Sequence, residues 1–248
     1  MVVEVKKVAK SYGKKNGSRV LRDVSLHIER EACVALLGVS GVGKSTLGRI
    51  VVGLERADQG RIFIQGERIL VGKNKRFRNK VQIVFQDPYS AFNPRLTMAQ
   101  SLAEPLLIER VKKRERYERI NAILEDVQLD QELLDRYPKQ LSGGQLQRAA
   151  IARALICRPL FIVFDEVVSS LDVVQQHHIL TLLHRLKETY DLSYLFITHD
   201  FQAAKYIADR ILVLHAGEVV DQVEKNGNGS WQHFKHPQAI RLQEAVWS

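Results

Sequence analysis

A candidate site for phosphate chemistry begins at Gly38. The run Gly38-Val39-Ser40-Gly41-Val42-Gly43-Lys44-Ser45 fits G-x-x-x-x-G-K-[ST], with Gly41 as a further glycine. Glycines let the backbone curl so that several N–H groups aim at one anion. Thr46 extends the run on its C-terminal side. Lys44 places a charge on the outer phosphates of a polyphosphate, and the Ser45 hydroxyl can ligate magnesium. Three more polar stations come directly after apolar runs: Gln86, the pair Asp165-Glu166, and His199. Asp165 suits a second magnesium contact, and Gln86 stands where ligands bind at a strand's carboxyl end. Glu166 suits a base for an attacking water, and His199 can donate to a terminal phosphate.

These groups need elements that hold them. Ala32 to Leu37 is short and apolar and reads as a buried strand before the glycine loop. Leu47, Ile50 and Val51 recur at helical spacing after it, so a helix should come next and lend its positive N-terminal end. Val81 to Phe85, Leu160 to Phe164 and Tyr194 to Ile197 are three further apolar strands. Each ends on a polar station, where ligands bind in open α/β sheets. Residues 2–8, 18–35 and 61–66 read as strands of an antiparallel β portion. Residues 97–157 turn helical, with Ile120, Ile123, Leu124 and Val127 on one face. Ser169 to Asp172 caps a helix carrying Ile179, Leu182, Leu183 and Leu186. The fold expected is α/β: a mostly parallel core sheet, an antiparallel portion and a helical insertion at about 90–157. The expected organisation is a single domain over 1–222 and a short polar tail over 223–248.

Composition narrows the setting. The chain has 248 residues, 37 Lys and Arg against 28 Asp and Glu, and a formal charge of +9. A basic surface suits polyphosphate, nucleic acid or an anionic membrane face, and does not choose among them. The basic run Lys73, Lys75, Arg76, Arg78 and Lys80 reads as a solvated face. Cys33 and Cys157 lie far apart without metal or redox spacing, so both should be reduced core thiols in a cytosolic chain. His177-His178 and His233 with His236 read as surface residues and not as a metal site. No apolar run approaches the roughly 18 residues a membrane span needs. Any membrane role is therefore expected through a partner. Tyr12 stands where an aromatic ring can either stack on a purine base or simply pack.

The order of these motifs, with Leu141-Ser142-Gly143-Gly144-Gln145 between them, resembles the ATP-binding subunits of ABC transporters over almost the full chain. Gly38 to Ser45 matches that family's Walker A loop, Gln86 its Q-loop, and Leu141 to Gln145 its LSGGQ signature. Phe161 to Glu166 matches Walker B, Ser170-Leu171-Asp172 the D-loop, His199 the switch histidine, and Tyr12 the A-loop aromatic. The resemblance implies a P-loop NTPase fold, ATP and magnesium as ligands, and Glu166 and His199 as catalytic groups. It also implies two subunits sandwiching two ATP molecules, with Ser142, Gly143, Gly144, Gln145 and Asp172 reaching a nucleotide across the dimer. Ser142 to Gly144 start a helix, so they offer a second phosphate-binding end.

Phe85-Gln86-Asp87-Pro88 with Ser90 to Pro94, and His236-Pro237 with Ala239 to Leu242, resemble the subgroup that imports peptides and nickel. Most relatives carry Pro-Thr after the Walker B glutamate; Val167-Val168 here is closer to the second nickel-import ATPase subunits. The resemblance implies an ATPase at the cytoplasmic face of the cell membrane driving import of nickel or a related metal. Dipeptide or oligopeptide import is the alternative. Implied partners are a homologous but distinct ATPase subunit, two membrane permease subunits and an extracytoplasmic substrate-binding protein. Nucleic acid is not among them. DNA-repair relatives split the two nucleotide motifs with a long coiled coil, whereas here about a hundred residues separate Ser45 from Leu141, without sustained heptads.

Overall fold

A computed structural model describes residues 1–13, 18–70, 77 and 79–244. Lys73, Lys75, Arg76 and Arg78 of the basic run, and most of the polar loop at 13–19, lie outside the described residues. In chain order, β1 (Val3–Tyr12) and β2 (Ser18–Ile28) lead to β3 (Cys33–Leu37) and α1 (Lys44–Val51). Then come β4 (Gln59–Ile64), β5 (Glu67–Arg68) and β6 (Val81–Val84). Helices α2 (Met98–Ile108), α3 (Lys113–Asp126) and α4 (Gly143–Leu155) separate β6 from β7 (Phe161–Asp165). The chain closes with α5 (Val173–Thr189), β8 (Ser193–Thr198), α6 (Phe201–Ile207), β9 (Arg210–His215), β10 (Glu218–Glu224) and α7 (Pro237–Glu244).

Two sheets form. The first is antiparallel, ordered β2-β1-β4-β5; the second is ordered β10-β9-β3-β8-β7-β6. Within the second, β9, β3, β8, β7 and β6 run parallel, and β10 pairs antiparallel with β9. The stretch 18–35, read as strand throughout, is divided between the two sheets. A turn at Arg30–Glu31, with Glu31 at φ 61°, sends the chain from β2 into β3. No glycine or proline announces it, which is why pattern alone runs the strands together.

The parallel strands alternate faces, as a period of two requires. Cys33, Ala35 and Leu37 of β3, Ile162 and Phe164 of β7, and Tyr194 and Phe196 of β8 enter the core shared with α2 to α7. Val34, Leu36, Phe161, Val163, Leu195 and Ile197 enter the other core, with α1 and the antiparallel sheet. The buried Tyr194 ring meets Phe164 edge-on at 4.8 Å, and its hydroxyl donates to the Leu183 carbonyl at 3.2 Å. The central strands β3, β7 and β8 are thus buried on both faces, as covered parallel strands must be.

The C-terminal segment is not a detached tail. β10 continues to Glu224, so the 222/223 division falls inside a strand. Beyond it, Phe234 packs on Phe201 with ring centroids 5.9 Å apart, and Ala239 is fully buried. The Asp221 carboxylate accepts from the backbone N–H groups of Lys235 and His236, each at 2.7 Å.

Close approach of α1 to the sheet rests on Gly48. A Cβ there would stand 2.8 Å from Ile197 Cδ1 and 3.1 Å from Val163 Cγ1. Gly48→Val therefore overpacks the seam under the glycine loop. We expect a loss of about 1–3 kcal/mol in denaturant unfolding. ATP affinity should fall with it, because the helix that carries Lys44 and Ser45 is lifted.

Candidate functional site

Parallel register brings the predicted stations to one edge. Leu37 at the end of β3 lies opposite Thr198 of β8, Ile197 opposite Asp165 of β7, and Phe164 opposite Val84 of β6. Gly38, His199, Glu166 and Gln86 therefore leave adjacent strands from the same side, about one strand spacing apart in turn.

The loop from Gly38 to Gly43 is built for backbone N–H groups to face inward. Gly43 has φ 109°, and a Cβ there would meet the Val20 carbonyl oxygen at 2.9 Å. Only glycine fits. Gly43 is also the N-cap of α1, and among the described residues no side-chain cap hydrogen bond closes that helix end. Ser142, Asp172 and Asp200 do so for α4, α5 and α6. The helix end beneath Lys44 and Ser45 is thus left to an anion.

Lys44 is 3% exposed. Its ammonium donates to the carbonyls of Gly38 at 2.7 Å and Val39 at 3.0 Å, and lies 3.2 Å from Glu166 Oε1. The other Glu166 oxygen is 3.4 Å from His199 Nδ1. Glu166 itself sits in the left-handed region at φ 51°, which turns its side chain out of the strand line; its N–H donates to the Ile197 carbonyl at 3.0 Å. The Ser45 hydroxyl donates to Asp165 Oδ1 at 2.8 Å. Two hard oxygen ligands next to a phosphate loop fit magnesium, which takes a few protein oxygens and keeps waters and phosphates for the rest. Burial pushes the Asp165 carboxyl above its ordinary value; the Ser45 bond opposes this, and the neighbouring Glu166 charge adds to it.

Gln86 is engaged elsewhere. Its amide donates to Ser169 Oγ at 3.1 Å, and Ser169 Oγ donates to the Glu166 carbonyl at 2.8 Å. The Asp172 carboxylate accepts from Gln175 N–H at 2.9 Å as the N-cap of α5, so the cap belongs to Asp172 alone within Ser169–Asp172. The signature forms a reciprocal cap: Gln145 N–H donates to Ser142 Oγ at 3.2 Å, and Ser142 N–H to Gln145 Oε1 at 3.0 Å. Ser142, Gly143, Gly144 and Gln145 line a separate open cleft with Asp172 and Arg148. Among the described residues, no hydrogen bond joins that cleft to Lys44, Ser45, Asp165, Glu166 or His199. The Tyr12 hydroxyl donates to Glu55 and lies 3.5 Å from Thr46 Oγ1.

Sequence reasoning gave Ser169 only a part in a helix cap and missed Glu55. Ser169 stands three residues after Glu166, a spacing from which a serine hydroxyl can bond back to the main chain. Glu55 meets Tyr12 only through the fold, 43 positions away. Val167 and Val168, read only as a mark of lineage, are 2% and 1% exposed and belong to the helix-side core.

Residues 21–169 match the ABC transporter family. The chain belongs to that family, as an ATP-binding subunit with ATPase activity. Over 252 aligned positions it is 40% identical to the oligopeptide transport ATP-binding protein OppF of Bacillus subtilis strain 168, covering 99% of this chain and 82% of the relative. It is 43% identical over 213 positions to the nickel import ATP-binding protein NikE of Escherichia coli K12, covering 84% and 80%. The dimeric structure of MJ0796, a bacterial ABC transporter cassette, superposes with a TM-score of 0.82 at 30% identity, over 91% of this chain and 99% of that one. A post-hydrolysis dimer of the same cassette bound to ADP and Pi gives 0.81 at 31% identity, with the same coverage of both chains. The α/β P-loop fold expected from the motifs is the fold found. Among the described residues, no helix is long and apolar enough to cross a membrane.

Asp165 offers a test of site against stability. Its carboxyl titrates above its unfolded value, so folding favours the protonated form. That stabilisation is complete below the unfolded value and is lost as pH rises through the folded one. Asp165→Asn removes the buried charge while keeping an acceptor for Ser45. Thermal unfolding near neutral pH should show the variant at least as stable as wild type, with ATP hydrolysis abolished.

Proposed function

We propose that this ATPase powers an importer, standing at the cytoplasmic face of the membrane beside a homologous second ATPase subunit, two permease subunits and an extracytoplasmic binding protein. The observation that carries the reading is the divided site. Phosphate-loop, carboxylate and histidine groups gather in one cluster, while Ser142 to Gln145 and Asp172 line a different cleft. On this reading one chain holds two half-sites that no hydrogen bond joins among the described residues, and a facing subunit completes both. The dimeric cassette that superposes on the chain supports this arrangement.

In each completed site, Gly38 to Thr46 wrap the phosphates, and Tyr12 supplies a face for the base. Lys44 exchanges its pairing with Glu166 for a phosphate oxygen, which releases that carboxylate towards an attacking water. Ser45 and Asp165 would hold magnesium, with Gln86 as a further oxygen ligand, and the bound ion would supply positive charge to neutralise the phosphates during hydrolysis. Glu166 accepts the water's proton, and His199 holds the Glu166 carboxylate on one side while reaching the terminal phosphate on the other. Ser142 to Gly144 bring a second helix N-terminus from the facing subunit.

The cargo we propose is nickel or a related divalent metal. Val167-Val168 after Glu166 and the likeness to NikE support it. An oligopeptide cargo is the second reading, favoured by the match to OppF running through the C-terminal segment to 99% of the chain.

Two measurements test the reading. Glu166→Gln should still bind ATP, lose turnover by at least about 100-fold, and accumulate a closed dimer with ATP. Lys44→Ala should weaken ATP binding itself by about 1.5–3 kcal/mol, the value of a charge-assisted bond. Failure of Glu166→Gln to bind ATP would assign Glu166 a structural part. For cargo, nickel uptake and nickel-enzyme activity should fall when the gene is deleted. Normal nickel uptake with lost oligopeptide uptake selects the second reading.

A further inference from the structure

Tyr12 ends β1 and is 43% exposed, yet its hydroxyl is not left to water. It donates to Glu55 Oε1 and lies 3.5 Å from Thr46 Oγ1 on the first turn of α1. The Glu55 carboxylate is 20% exposed and gathers further donors: Lys10 Nζ at 3.3 Å and Arg49 Nε at 3.4 Å. Glu55 N–H is bonded to the Arg49 carbonyl at 3.2 Å, so the residue is anchored to the end of the same helix. Lys10 Nζ also donates to the Arg56 carbonyl at 2.8 Å, lies 3.6 Å from Asp58, and stands 5.2 Å from the Tyr12 ring centroid. Burial opposes charge on Glu55, but the bonds from Tyr12, Lys10 and Arg49 outweigh it and hold the carboxyl below its ordinary range.

A ring needed only for stacking gains nothing from a hydroxyl, since phenylalanine offers the same face. An ion pair needed only for Lys10 gains nothing from Glu55, since Asp58 and the Arg56 carbonyl already serve it. The joint arrangement does something neither half requires. It fixes an exposed aromatic side chain in one orientation relative to α1, and α1 carries Lys44 and Ser45.

We propose that Glu55 is a positioning residue for nucleotide binding: it tethers the Tyr12 ring to the phosphate-loop helix and so fixes the distance between the base-receiving face and the phosphate cradle. The proposal rests on Tyr12 receiving the base. The ligand is a purine nucleoside triphosphate long enough to touch both ends, and pre-orienting the ring removes an ordering cost from its binding.

The test compares the full chain's affinity for magnesium ATP with that for magnesium tripolyphosphate, which carries the phosphates without a base. Glu55→Ala and Tyr12→Phe should each weaken ATP binding by about five- to twentyfold, as for loss of one bond to a charged acceptor. Tripolyphosphate binding should stay within about twofold of wild type, because a positional defect spares the cradle. The double variant should be no weaker than either single one, since both cut the same tether. Glu55→Gln keeps an acceptor and should recover most of the affinity. Equal weakening for both ligands would make Glu55 a structural support of α1 and overturn the proposal, as would unchanged ATP affinity in both single variants. Unchanged ATP affinity in Tyr12→Ala would instead remove the base contact itself, and the tether with it. Should Glu55→Ala fail to fold, Tyr12→Phe decides alone.

Discussion

A nearly solvent-free ammonium governs the site. Lys44 is 3% exposed, and an unpaired charge at that depth costs several kcal/mol. Its partners are the carbonyls of Gly38 and Val39 and the carboxylate of Glu166. On the proposed function, the carbonyls belong to the loop that cradles phosphate and the carboxylate to the group that activates water. Binding and chemistry are thus joined through one cation. On the same reading, a phosphate that takes Lys44 leaves Glu166 paired with His199. The pairing also keeps the buried charge balanced when no phosphate competes for it.

The sheet makes that geometry reproducible. Parallel strands buried on both faces leave only their ends for polar residues, so the functional groups are confined to one rim. Side chains on one face of β3, β7 and β8 bind the sheet to the helices, and those on the other bind it to α1 and the antiparallel layer. Gly48 allows α1 to rest against Ile197 and Val163, the residues just before Thr198 and Phe164. Packing and catalysis meet there within a single side-chain layer.

Much of this was legible in the residues. Glycine spacing before a helix, and polar residues closing apolar runs, located the rim because both arise from local physics: backbone freedom, and the change from buried to exposed at a strand end. The split of 18–35 between two sheets was not legible, because Glu31 takes a left-handed turn that glycine or asparagine normally marks. Ser169 in its bonded role and Glu55 were hidden for different reasons. One is a hydroxyl in a motif whose other members draw attention first; the other meets its partner only after β1 and α1 come together. Gln86 and Asp172 are assigned to the nucleotide by resemblance, and within the single chain their hydrogen bonds run to Ser169 and Gln175. The boundary at 222 reflected composition, and composition does not register that polar segments can be pinned by backbone bonds to Asp221.

That pinning has a consequence for how the chain ends. Phe234 covers Phe201, the first residue of α6, and Asp200 caps the same helix one residue after His199. The segment that carries no nucleotide motif is therefore the roof over the residues just beyond the switch histidine. A chain trimmed after His199 would keep every residue proposed for the site and still lose the aromatic cover over Phe201. Whatever pulls on residues 225–244, whether a fused domain, a docked neighbour or a protease, has a mechanical route of one aromatic contact and one short helix to the backbone beside His199.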